Sequence, residues 1–110
     1  MDNGGSEWNK KGGTLSEKSA RKEFGLTQEE IIEAIKAGKL QYRHNHIYGN
    51  PYLRLLRREV EAYVEERYGS DHLKIAQLKH ELALVNREIK RLKTQLKTLE
   101  QRKQELVGLL

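Results

Sequence analysis

The sequence predicts a mainly α protein: a small helical module with a short β-hairpin, followed by one long coiled-coil helix. Three observations carry that expectation. Apolar residues recur at alternating three- and four-residue intervals from Ile75 to Leu110, the mark of a heptad seam. Two Thr-x-x-Glu signatures, at Thr14 to Glu17 and Thr27 to Glu30, read as helix starts. Between Gly38 and Arg58 the helical period disappears, and "KLQYRHNHIY" and "YLRLL" flank the turn signal "GNP".

Residues 1–13, "MDNGGSEWNKKGG", hold four glycines and no apolar periodicity, which predicts a flexible tail. Trp8 stands out in it, either exposed or docked on a core. The first helix is expected from about Leu15 to Phe24, with Thr14 as cap and Gly25 as its stop. The second is expected over Gln28 to Ala37, with Ile31, Ile32 and Ile35 as one apolar stripe. Only "GLT" separates them, the short turn of a helix-turn-helix unit. The hairpin should span about Leu40 to Leu56. A third helix should run from about Arg58 to Tyr68, with Val60, Tyr63, Val64 and Tyr68 facing inward.

From Ser70 the chain reads as a single helix, about 55 Å long at 1.5 Å per residue. Ile75, Leu82, Ile89, Leu96, Lys103 and Leu110 fall at a positions, and Leu78, Val85, Leu92, Leu99 and Leu106 at d positions. A helix with such a seam cannot stay alone in water, and residues 14–69 are too short to cover it. Self-association is the simplest solution, and a homodimer the simplest state. Ile75, Leu78, Leu82, Val85, Ile89, Leu92, Leu96, Leu99 and Leu106 are the dimerisation residues. In a parallel pair Lys74 would oppose Lys79 while Glu88 would attract Lys93, so charge does not select the polarity. The expected organisation is a tail at 1–13, a compact module at 14–69 and a dimerisation helix at 70–110.

The net charge is +5, with twenty-one Lys and Arg against sixteen Asp and Glu. Its distribution is uneven. Residues 39–58 hold five basic side chains and no acid, and residues 70–110 hold nine against five. Localised positive charge suits an anionic partner such as nucleic acid, or simply a solvated surface. Lys39, Arg43, Arg54, Arg57 and Arg58 are the candidates for phosphate contact, because forked guanidinium donors match phosphate oxygens. His44, Asn45, His46 and Asn50 are hydrogen-bonding neighbours. Arg57 and Arg58 have a second reading, as partners of Glu61 and Glu65. Tyr42, Tyr48 and Tyr52 interleave with the charge, either to stack on nucleotides or to pack the hairpin. On the long helix Arg87, Lys90, Arg91, Lys93 and Lys97 read mainly as a solubilising face.

Other chemistry is thin. There is no cysteine, and the His44-x-His46 pair lacks further ligands for a metal. No glycine-rich phosphate loop and no framed nucleophile set is present. No enzymatic activity and no cofactor are expected. No apolar run reaches the roughly 18 residues of a membrane span, and no signal-peptide core stands at the N-terminus. A cytoplasmic protein without membrane contact is the expectation.

The stretches "FGLTQEEIIEAIKAGKL" and "LRLLRREVEAYV" resemble the winged helix-turn-helix domains of MerR regulators and phage excisionases. The likeness covers about residues 14–68. The return segment loosely resembles the DNA-binding domain of the eukaryotic excision-repair damage-recognition protein. The resemblance implies a DNA-binding fold, a transcriptional regulator or architectural factor, and a C-terminal antiparallel coiled coil. It implies groove reading by the second helix, where Gln28 and Lys36 suit the role but Glu29, Glu30 and Glu33 would meet phosphates. No effector domain or sensing role is expected beyond the coil. The resulting expectation is a dimeric DNA-binding protein that contacts backbone through hairpin arginines lying together on an open rim. The alternative, motivated by the acidic second helix, is a coiled-coil adaptor or assembly protein whose module docks a protein partner.

Overall fold

The computed structural model describes residues 6–110. Residues 1–5 of the expected tail lie outside the described residues. The chain divides into two units, with the break after Gln77. The first is a small α/β layer and the second is helical.

In the first unit, a 3-10 turn at Glu7–Asn9 leads to strand β1 (Thr14–Ser16) and helix α1 (Glu17–Phe24). Helix α2 (Gln28–Lys36), strands β2 (Tyr42–Ile47) and β3 (Asn50–Leu56) and helix α3 (Arg57–Tyr68) follow. Helix α4 begins at Ser70 and ends at Leu109. The three strands form one antiparallel sheet in the order β1-β3-β2. The expected mainly helical class with a hairpin and a long last helix is what the structure has, with one strand more than expected.

That third strand corrects the start of the first helix. Thr14 does not cap it. Thr14, Leu15 and Ser16 pair with Leu56, Leu55 and Arg54, so the ladder satisfies their backbone groups and carries Leu15 into the core. Ser16 is the cap instead, its Oγ accepting from the Ser19 N–H at 3.0 Å. The second signature is as expected. The Glu30 N–H donates to Thr27 Oγ1 at 3.1 Å, and the Thr27 N–H donates to Glu30 Oε1 at 2.9 Å.

The hairpin also turns earlier than the sequence suggests. Ile47 pairs with Asn50, so the loop is Tyr48-Gly49, both at positive φ (51° and 83°). This is the primed geometry that matches strand twist. Asn50 and Pro51 belong to β3. Proline cannot donate to a ladder, and Pro51 lies on the part of β3 that extends beyond the three residues paired with β1.

The core lies between the sheet and the helices. Leu15 and Leu55 come from the sheet, and Ala20, Phe24, Ile31, Ala34, Val60, Tyr63 and Val64 from the helices. Leu73 and Ala76, from the first turns of α4, join it. The expected stripe of three isoleucines is therefore two plus Ala34, because Ile32 points outward at 40% exposure. Tyr68 is likewise outside the core.

The second unit, Leu78–Leu110, is helical to Leu109. Leu78, Leu82, Val85, Ile89, Leu92, Leu96, Leu99 and Leu106 are 44–67% exposed. They keep the heptad register, so they form one apolar stripe on a charged helix. Among the described residues, no helix is long and apolar enough to cross a membrane.

Candidate nucleic-acid interface

Strand register puts the expected cations on two sides of the sheet layer. Arg54 lies directly opposite Arg43 on β2 and Ser16 on β1. Leu55, the neighbour of Arg54, is fully buried against the helices. Successive strand residues alternate, so Arg54 and Arg43 belong to the outer face.

That face is covered in part: Arg43 is exposed and Arg54 half-buried. The segment after Ser6 lies over it. Trp8 is buried, and the Arg43 guanidinium sits 4.5 Å from its ring centroid, within cation–π range. Arg54 donates to the Trp8 carbonyl and, through Nε at 3.2 Å, to Thr14 Oγ1. Arg58 grips Glu7 with two bonds of 2.7 and 2.9 Å. This fork holds the Glu7 carboxyl below its ordinary range. The reading of residues 6–13 as a flexible tail is therefore corrected. Ser6 caps the 3-10 turn by accepting from the Trp8 N–H, and the Arg57 N–H donates to the Gly13 carbonyl at 2.9 Å. Gly13 is needed there, since a Cβ would stand 2.7 Å from the Glu7 carbonyl oxygen.

The remaining two basic groups of the 39–58 segment are also engaged. Arg57 ties α3 to α1 through Glu23, at 2.5 and 3.2 Å, with Glu61 more distant at 4.0 Å. The Glu23 side chain is only 7% exposed, and its hydrogen bond raises the Arg57 pKa. Lys39 pairs with Glu66 near the end of α3. The expected open rim of five free cations is thus not what the fold presents. Each cation has found an intramolecular acceptor or π-face, and the acceptors are not the expected Glu65 or, chiefly, Glu61.

Gln28 and Lys36 are exposed on α2. The same helix exposes Glu29, Ile32 and Glu33, while Glu30 turns inward. Glu30 accepts from the Tyr68 hydroxyl, the Thr27 N–H and Arg67 Nε, and these keep its carboxyl below the usual value. The resemblance set it among the carboxylates that would meet phosphates; in the structure it is the brace between α2 and the end of α3. On β2, His44 is exposed and Asn45 half-buried. His46 and Asn50 are exposed near the hairpin tip. Tyr42 and Tyr48 are exposed, Tyr48 completely. Tyr42 meets the His44 ring edge-on, and Tyr52 is half-buried.

Sequence reasoning missed Trp8, Glu7 and Glu23 as partners of the arginines. The only local signal was the isolation of Trp8 in a glycine-rich stretch. Among the described residues, no group of three or more His, Asp and Glu side chains is placed to hold a metal ion. Comparison with known proteins gave no match to a family model, a curated protein or a solved structure.

Proposed function

We propose that two copies of the chain pair along the heptad seam and that the compact module of each contacts the sugar-phosphate backbone of duplex DNA. The carrying observation is the Arg43–Arg54 pair on the outer sheet face. Like charges directly opposite on a sheet are destabilising, and a phosphate-binding role explains keeping both. The order α1, short turn, α2, hairpin supports the same reading, as does the resemblance to winged helix-turn-helix domains.

The contact set differs from the one the sequence suggests. Arg43, Arg54, Arg58 and Lys39 are its members. Arg57 is a structural brace, because its fork to the largely buried Glu23 ties α3 to α1. Arg58 and Lys39 sit in exposed pairs. Such solvent-screened pairs contribute little to stability and compete weakly with a duplex carrying one charge per about 1.7 Å. Backbone contact positions without specifying sequence, and the exposed Glu29 and Glu33 make α2 a poor groove reader. Self-association is supported by eight exposed apolar side chains in one register.

The test is a salt titration of full-length protein on random duplex DNA. The log–log slope should fall by about 0.9 for each phosphate contact removed, so Arg43→Ala/Arg54→Ala should flatten it by nearly two. No binding to duplex at low salt overturns the reading.

A second reading has its own observation. The outward face of α2 combines Glu29, Ile32 and Glu33, an acidic and apolar surface that suits a protein partner. A stoichiometric partner whose capture requires Glu29 and Glu33 would favour an adaptor or assembly role.

A further inference from the structure

We infer that the segment Ser6–Gly13 is an internal mimic of the polyanion, seated in the cationic site it must leave before nucleic acid can bind. This rests on the reading of the outer sheet face as a backbone-binding surface, and it names what occupies that surface in the free protein.

Three groups of the segment stand where ligand groups would. The Glu7 carboxylate takes both donors of the Arg58 fork, as a phosphate does. The Trp8 carbonyl oxygen takes an Arg54 donor, as a second phosphate oxygen would. The exposed Arg43 guanidinium stacks on the buried Trp8 ring, as it would on a base or sugar face. Arg43 and Arg54 of the sheet face and Arg58 at the start of α3 thus each contact the same eight-residue segment. The segment brings one carboxylate and two lysines, so Glu7 answers the Arg58 charge locally while the site as a whole keeps its positive surplus for a stronger anion.

The attachment is built to be separable from the fold. Trp8 is buried, yet it stands apart from the principal core cluster. The ion pair that the segment contributes, Glu7 with Arg58, is exposed on both sides. The cluster of Phe24, Ile31, Leu55, Val60 and Val64 does not include Trp8, and the Gly13 carbonyl, which accepts from the Arg57 N–H, anchors the segment's end to α3. Lys10 and Lys11 belong to the same segment and are exposed, so a displaced segment carries positive charge to the bound DNA.

Trp8 is the sole tryptophan, and its fluorescence reports the segment directly. The experiment titrates a random 30-base-pair duplex into four full-length proteins: wild type, Glu7→Gln, Trp8→Ala, and Trp8→Ala/Arg43→Ala/Arg54→Ala. Circular dichroism is recorded for each. Displacement predicts that the Trp8 emission of wild type shifts to the red with the same midpoint as binding. It predicts about tenfold tighter binding for Trp8→Ala, since the segment's contacts are individually weak. The increase should be smaller for Glu7→Gln and cancelled in the triple variant.

If wild type and both opened variants bind alike and Trp8 emission does not move, the mimicry is overturned while DNA binding stands. If none binds at low salt, both are overturned. Should Trp8→Ala fail to fold, Glu7→Gln and the wild-type emission decide the matter alone.

Discussion

Arg43 and Arg54 face each other across β2 and β3 on the same side of the sheet, the first stacked over the Trp8 ring and the second donating to the Trp8 carbonyl. Opposed like charges are destabilising, and the cation–π contact, worth about 0.5–1 kcal/mol, offsets that. Arg43→Gln should therefore change stability by less than about 0.5 kcal/mol while removing about one phosphate contact from the salt slope. Chemical denaturation and DNA titration of the same sample check both halves.

Arg57 predicts the opposite pattern. Its pair with Glu23 is partly buried and bidentate. Arg57→Ala should cost about 2 kcal/mol, in the range for hydrogen bonds to a charged group. A double-mutant cycle with Glu23→Gln should show a coupling above about 1 kcal/mol. Its direct effect on the DNA salt slope should be absent in conditions where the protein is fully folded.

Glu30 sets an acid limit on the helical module. Its carboxyl is held below the ordinary 4.5 by the Tyr68 hydroxyl first, then the Thr27 N–H and Arg67. A depressed carboxylate adds stability that is fully present above its unfolded pKa and is lost as pH falls through its folded value. Melting temperature should thus decline below about pH 4.5, and Glu30→Gln should flatten the decline. The variant should also be less stable at pH 7, because an amide replaces a carboxylate that serves three donors.

Lys103 occupies the one a position that breaks the apolar seam. Lys103→Leu should strengthen pairing, by about 1–2 kcal/mol per copy from burial of apolar surface. Ile89→Lys, in the middle of the stripe, should weaken it. Concentration-dependent melting distinguishes the two, since stability of a pair follows protomer concentration.

What the sequence disclosed was local. The heptads, the Thr27 capping box and the hairpin depend on residues a few positions apart, and their periods are visible directly. The opaque parts join distant residues. Glu23 and Arg57 are 34 positions apart, Trp8 and Arg54 46, and Glu7 and Arg58 51. No spacing rule links them, and an acid-free stretch of sequence therefore looked like a free cationic surface. Thr14 misled for a related reason: its cap signature is real, but pairing with β3 claims the backbone first. The candidate cations were thus legible by type and position, whereas their occupants were not.

Sedimentation equilibrium of the full-length protein, alone and on a short duplex, tests the central claim of a seam-paired protein with two cationic modules most directly. A seam-paired protein sediments at twice the 12.8 kDa chain mass alone and at that mass plus the duplex on DNA, the protein alone falling to one chain mass with Ile89→Lys. A single-chain mass at micromolar concentration with the seam intact, or a duplex left unbound by the wild-type pair at low salt, would contradict it.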